Sequence, residues 1–507
     1  MNRTCHRILS HFCCLVFLSY CGGPARSQEM TGLTTSNYSG INTLMLNPAL
    51  MINSRLYCDI HLLSGGAFFE NNYMYLADGE YAFSDLFKKE YQLVDYGMSP
   101  DKLTLYDYYG GNFDDVLKKV FLNTRINGPG LMFSYQDHAF ALTTSFRNML
   151  SIKDVPFHVA KFCYEGIDWP LQQDIRYQTG AFDMAQMSWA EVGFSYAYRF
   201  AYTPESQMSA GITIKKVLGF TAVYLDCRNA DYMVPDDSTL IVYNIDAEAG
   251  ISVPIDRDTN QVSIAENIFR GRGWGFDLGF VYQKNAQLTQ KGRIKDNPTL
   301  CGQSFTEYDY KFGISLLDFG SVEFTQQADK WVFDNVSTFW PGIDKTNYRT
   351  IAEAAGDLGY RFYSDSLAAR QDNRFRMFLP AALSLQFDYH LQQGFYIHSL
   401  LIQSLRTRMP GLWRPSQLAV VPRFESRYVD AFLPLSFYDW RYTRLGFALR
   451  LAFLTIGTDR LGAFMGLKDF TGADAYFALK FNLNKGYCKK KKQVRRCRNA
   501  EYQRYLR

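Results

Sequence analysis

A two-residue rhythm runs through most of the chain. Residues 190–200 set Ala190, Val192, Phe194, Tyr196, Tyr198 and Phe200 against Glu191, Gly193, Ser195, Ala197 and Arg199. Beyond "TPES" (203–206), Met208, Ala210, Ile212 and Ile214 oppose Ser209, Gly211, Thr213 and Lys215. The same alternation recurs at Trp274–Tyr282, Leu383–Leu391, Leu445–Phe453 and Ala475–Leu483. Successive side chains of a strand point to opposite faces, so each run predicts a strand with one apolar face. A run of about ten residues is what a tilted strand needs to cross hydrocarbon, whereas soluble strands average about 5–6. The pattern predicts an all-β fold, a transmembrane antiparallel β-barrel of about 14 strands (14–16); a soluble sandwich or propeller with long strands is the alternative. Clear hairpins are expected at 131–135 with 139–147, 190–200 with 208–217, and 383–391 with 394–403.

The second face mixes Gly, Ala and Ser with isolated charges. That suits a crowded lumen, where small residues leave room for inserted segments and single charges pair across the barrel. Candidate lumen-lining groups are Arg55, Asp59, His61, Asp277, Asp388, His390, Arg450 and Lys480. The stretch "LMLNPALMINSRLYCDIHLL" (44–63) combines two patterns. Asn47 is a favoured N-cap and Pro48 is tolerated at the first helical position, so "PALMIN" predicts a short apolar helix packed inside or under the barrel. "SRLYCDIHLL" then starts the wall, with Leu56, Cys58, Ile60 and Leu62 toward lipid and Arg55, Tyr57, Asp59 and His61 inward. Three further segments carry helical spacing: 83–96, "NFDDVLKKVFLN" (112–123) and 347–362.

The ends of the chain differ from the middle. Arg3, His6 and Arg7, the apolar run 8–20 and "ARS" (25–27) read as a secretory signal over 1–27, with Gln28 the expected mature start. A lipoprotein signal ending at Cys21 is the rival, opposed by the bulky Tyr20 before it. No other stretch approaches the ~18–20 apolar residues of a membrane helix. Residues 28–485 are expected to form one barrel domain, within which 28–54 is an N-terminal segment, and 486–507 a basic tail expected in the periplasm. Of ten cysteines, Cys488 and Cys497 share that tail and are candidates to pair.

Composition narrows the function. The formal charge of +4 over 507 residues does not suggest nucleic-acid binding, and 35 Tyr and 40 Phe suit aromatic girdles. Five histidines follow the signal, none in a metal-ligand spacing, and no GxSxG elbow or phosphate loop occurs. The chain is therefore expected to be no enzyme and to need no cofactor or metal.

Several phrases together carry a resemblance: "NTLMLNPALMINSRLYCDIHL" (42–62), "AGITIKKVLGF" (210–220), "GWGFDLGFVYQ" (273–283), "YKFGISLLDFGSVEF" (310–324), "LPAALSLQFDYHL" (379–391) and "LGFALRLAFLTIGTDRLG" (445–462). They resemble a Bacteroidota outer-membrane barrel family of unknown function. The wider group is similar to long-chain fatty-acid transporter barrels and to the shuttle barrel of type IX secretion. The resemblance implies about fourteen strands and an Asn-Pro-Ala motif, here Asn47, Pro48 and Ala49, near or in the lumen. It implies location in the outer membrane, with its lipid as surroundings. Two functions stay open: passive transport or relay of a small hydrophobic molecule, or a non-enzymatic accessory or scaffold barrel that binds another envelope protein. No OmpA-like domain follows the barrel, which departs from some relatives.

Overall fold

A computed structural model describes residues 29–73, 116–167, 170–256, 259, 268–286, 306–392, 394–405, 410–440, 442–464 and 471–483. The signal, the segment 83–96 and the basic tail with Cys488 and Cys497 lie outside the described residues. The chain forms a closed antiparallel barrel of fourteen strands. They are β1 (Cys58–Asn71), β2 (Lys118–Asn127 and Gly130–Tyr135), β3 (His138–Val155), β4 (Arg176–Thr179 and Phe182–Tyr202) and β5 (Ser206–Asp236). Next come β6 (Thr239–Ser252 and Gly271–Asn285), β7 (Tyr308–Phe324 and Ala328–Pro341), β8 (Arg370–Asp372, Phe375–Phe378 and Ala382–Gln392), β9 (Phe395–Ser404) and β10 (Gln417–Glu425). The ring ends with β11 (Val429–Phe432 and Leu435–Tyr438), β12 (Tyr442–Leu445 and Phe447–Leu451), β13 (Leu454–Thr458) and β14 (Gly472–Leu483). β14 pairs back onto β1, from Cys58 opposite Leu483 to Glu70 opposite Gly472, so no edge is left open.

Alternation decides what faces out. Val192, Phe194, Tyr198 and Phe200 are exposed, while Ser195 and Ala197 between them are buried. Trp274, Phe276 and Leu278 on β6, and Phe387, Tyr389 and Leu391 on β8, are likewise exposed. An apolar outer band over a closed barrel is the membrane-type arrangement. All three expected hairpins form. One end of the barrel holds the first residue of β1, the last of β14 and mostly short turns, such as those at 136–137, 203–205 and 452–453; the far end holds most of the longer connections. At the far end β5 alone runs 31 residues, well beyond the hydrocarbon, and pairs there with the first runs of β6 and β4.

Three short helical segments precede β1: α1 (Thr31–Thr34) and two 3₁₀ helices, Gly40–Met45 and Pro48–Asn53. Residues 29–57 lie almost wholly buried inside the ring and plug it. Beyond the wall, α2 (Phe157–Glu165) stacks His158 on Tyr177 at 4.3 Å, and α3 (Ile351–Tyr363) sets Phe362 5.3 Å from Phe333 of β7. Thr350 caps α3 by accepting the Glu353 N–H, and the expected helix at 347–362 is this one.

Two expectations fail. The segment 112–123 is not helical where it is described: β2 begins at Lys118 and pairs with both β1 and β3. Phe121 points into the lumen, packed near Phe68 and Met149, so β2 is apolar on both faces at this height and its period-two signal disappears. The first wall strand starts at Cys58, four residues later than "SRLYCDIHLL" suggests. Leu56 is fully buried with Ile41, Met51 and Ile52 of the plug, not turned to lipid.

Candidate functional site: the plugged lumen and its seam

The plug runs down the lumen, halfway back up, and down again into β1. At the top of its path Thr31 donates to Asp459 at 2.6 Å, Gly32 N–H donates to the Tyr476 hydroxyl at 3.0 Å, and Glu29 pairs with Arg414. Near the strand ends Asn37 is held from several sides. Its backbone N–H donates to Glu425 at 3.0 Å, and its side-chain oxygen accepts from Lys311 at 2.7 Å. Behind it Arg423 forks onto Asp388 at 2.9 and 2.8 Å and reaches Glu425 at 2.7 Å. Tyr308 donates to Asp388 at 2.9 Å. Ser36 donates to Asp430 at 2.9 Å, and Arg450 forks onto the same carboxylate at 2.6 and 2.7 Å. Two-pronged guanidinium–carboxylate contacts fix geometry as well as charge.

The turn at the motif is the plug's highest return point. Asn47 Oδ1 accepts the Ala49 N–H at 2.9 Å and Pro48 sits at the first helical position, the predicted cap, although the turn it starts is 3₁₀. The Asn47 amide also donates to Gln386 at 3.0 Å and to the backbone oxygens of Phe280 and Ile314 at 3.2 and 3.3 Å, tying the turn to three strands. Two wall glycines make the seat possible. A Cβ on Gly211 would lie 2.6 Å from Ala49 N, and one on Gly279 would collide with Asn47 Oδ1.

The remaining expected lumen residues are placed as follows. Asp59 accepts the Ile41 N–H at 2.9 Å and faces Lys480 at 3.6 Å; Lys480 also donates to the Tyr38 and Ser39 carbonyls. Arg55 leaves the plug to pair with Glu307 at 2.9 Å. Asp277 holds Lys215 at 2.8 Å, and Lys215 bridges to Asp318 at 2.6 Å. Arg147 joins Asp318 at 3.0 Å to Glu191 at 3.2 Å. Among the described residues His390 makes no ion pair; its ring stacks 4.4 Å from Tyr396. Of the eight candidates the structure brings Asp59 and Lys480 together as an ion pair, with His61 directly opposite Lys480 in the β1–β14 ladder. Sequence reading missed Tyr308, Lys311, Arg423, Glu425, Asp430, Arg147 and Asp318. Asp318 was least accessible to it, because a bulge between Leu316 and Phe319 and a positive φ of 52° turn it inward. Among the described residues no group of three His, Cys, Asp or Glu could hold a metal.

The ladders of β7 with β8, β10 with β11 and β11 with β12 are each interrupted but bridged by a backbone hydrogen bond, and the ladder of β1 with β2 is interrupted as well. β1 pairs with β2 over Ser64–Asn71 and over Cys58–His61, but Leu62 and Leu63 face Gly128 and Pro129 outside both ladders. Pro129 has no N–H to give, and the Gly128 N–H goes to Thr144 of β3 at 2.9 Å. Leu62 is also the extra residue of a bulge against β14. Both leucines are exposed. Inside this seam lies a cavity of about 60 Å³, lined by Ile41, Leu44 and Met45 of the plug, by His61, Asn123 and Gly128 of the wall, and by the charged group of Arg125, Arg147, Glu191, Lys215, Asp277 and Asp318. That is room for a few waters.

A plugged membrane-type barrel, its wall interrupted between β1 and β2 among other places, is the class the geometry defines. The chain belongs to the family of unknown function DUF5723, whose model matches residues 48–459. Among curated proteins none matches it. Three solved barrels are similar. The TodX monoaromatic hydrocarbon channel, deltaS2 mutant, is 10% identical, with a TM-score of 0.39 over 88% of this chain and 95% of that one. The Pseudomonas putida toluene transporter TodX is 10% identical, with a TM-score of 0.37 over 92% and 99%. A Pseudomonas aeruginosa FadL homologue is 11% identical, with a TM-score of 0.30 over 90% and 98%.

Proposed function

We propose that the protein is a non-enzymatic outer-membrane barrel that relays a small hydrophobic molecule between its lumen and the surrounding lipid. One observation carries this reading: the β1–β2 ladder is broken beside an apolar plug surface and a cavity, at a height where the outer face meets lipid. Backbone groups in lipid are otherwise paired all round a barrel wall. The route would leave past Leu62, Leu63, Gly128 and Pro129, and Ile41 and Met45 would have to move for anything larger than water to pass.

A lock across the seam tests it. Leu63→Cys with Gly128→Cys, made in a chain lacking Cys58 and Cys163, joins facing residues of β1 and β2. Uptake of a fluorescent alkyl probe into cells or proteoliposomes should fall at least about tenfold on oxidation and recover with reductant, since closure removes the only step the probe uses. Undiminished uptake in the locked barrel would sink the relay.

The second reading, an accessory barrel that docks another envelope protein as in type IX secretion, draws on the wall built by β4 to β7 beyond the hydrocarbon. It predicts that the locked barrel keeps its cellular role.

A further inference from the structure

The outer face of β5 to β8 carries a row of positive charge where the apolar band ends. Arg272 stands opposite Leu218 of β5 and Glu323 of β7, and Glu323 stands opposite Arg376 of β8. One step nearer the strand ends, Lys216 lies over the exposed Trp274 ring at 4.4 Å. Val217, Val322 and Met377, which alternate with these residues, are buried inside, so Lys216, Arg272, Glu323 and Arg376 all point out. From Met208, opposite Tyr282, to Leu218, opposite Arg272, the wall covers roughly ten residues, one hydrocarbon thickness at the usual tilt. The row therefore stands at the headgroup level of the leaflet on the far side from the strand ends.

The charges there do not balance. Arg376 meets Glu323 only at 3.8 Å, and Arg374 above it meets Asp372 at 3.8 Å. Arg272 and Lys216 have no carboxylate partner among the described residues. Counting Lys216, Arg272 and Arg376 against Glu323 leaves a surplus of two positive charges on adjacent strands. Like charges so close repel unless an anion joins them. Guanidinium forks match phosphate oxygens, and the aliphatic stem of Lys216 lies along an indole at the height of glycerol or sugar.

We propose that Lys216, Arg272 and Arg376 form a binding site for the phosphate of an anionic membrane lipid, with Trp274 as its apolar floor. Glu323 is then a partial occupant of the site, standing where a phosphate oxygen would otherwise accept. Two sources share that chemistry: the phosphorylated disaccharide of lipid A, or the phosphodiester of an anionic phospholipid.

Native mass spectrometry of the full chain in neutral detergent separates them. Bisphosphorylated lipid A, phosphatidylglycerol and phosphatidylcholine are offered in turn. Wild type should retain lipid A or phosphatidylglycerol above phosphatidylcholine. The variant K216Q/R272Q/R376Q should lose that retention about tenfold or more, because each basic group near a charged surface adds a comparable attraction. Preference for lipid A assigns the site to a lipopolysaccharide leaflet, and preference for phosphatidylglycerol to a phospholipid one; both support the phosphate site. Glu323→Gln should raise retention and does not depend on the triple variant folding. Equal retention of all three lipids by wild type, or retention unchanged in both variants, would overturn the proposal.

Discussion

The plug meets its wall in two different ways. Against β7 to β12 its polar atoms are matched: Asn37 by Glu425 and Lys311, Ser36 by Asp430, Asn47 by Gln386. Against β1 to β3 Asp59 accepts the Ile41 N–H, but Leu44 and Met45 face a cavity, and the buried Asn123 Oδ1 there has no hydrogen-bond partner among the described residues. The first contact fixes position, since moving it strands buried charge. The second holds fewer polar contacts with the plug, chiefly Asp59 on the Ile41 N–H, so a shift there strands less. The relay proposed above needs the plug to give at the seam while its matched side stays in place.

The largest effect is expected where the matched side is broken. Arg423→Ala leaves Asp388 and Glu425 buried with a cation removed, which typically costs about 3–5 kcal/mol. Urea unfolding in detergent should show it, and a midpoint near wild type would mean that this side does not anchor the plug. Next comes Gly211→Val, which drives a side chain into the Pro48–Ala49 backbone; overpacking of this kind costs about 1–3 kcal/mol. The same variant should unseat the motif turn and admit ions in planar-bilayer recordings. Silent bilayers would place the seat elsewhere.

On the other side, Asn123→Leu should change stability by less than about 1 kcal/mol, because it removes a buried acceptor that no donor satisfies. A loss as large as that of Arg423→Ala would erase the distinction between the two sides. At neutral pH the smallest effect lies outside the lumen. Burial pushes the His158 imidazole down from 6.5 to about 4. The folded state therefore holds it neutral while the unfolded chain takes up a proton, so stability is complete above about pH 6.5 and declines as pH falls toward about 4. His158→Phe should flatten that slope in pH-dependent melting, whereas an unchanged slope would assign it to other groups.

The wall was legible wherever one face is apolar and the other small or polar, as in 190–200, because two environments of opposite polarity write opposite residues on alternate positions. It was illegible at 112–123, where Phe121 enters an apolar layer of the lumen and both faces of β2 look alike. Asn47-Pro48 announced its cap because capping is local chemistry. The partners of Asn37 were not announced, since Tyr308, Lys311 and Glu425 come from strands far apart in sequence and meet only across a closed ring. The seam was not read from the sequence: Gly128-Pro129 is a local signal for a break, but only the pairing shows that it falls opposite the bulge at Leu62.

The plug is continuous with the first strand, and the ring closes where that strand meets the last. Its turns are wider than the gap between paired strands, so with β14 on β1 residues 29–57 can enter or leave only through an end of the ring, never through the wall. The segment is thus a stopper on a tether: it runs straight into Cys58 of the wall, so it can shift within the lumen and still stay fastened to the barrel.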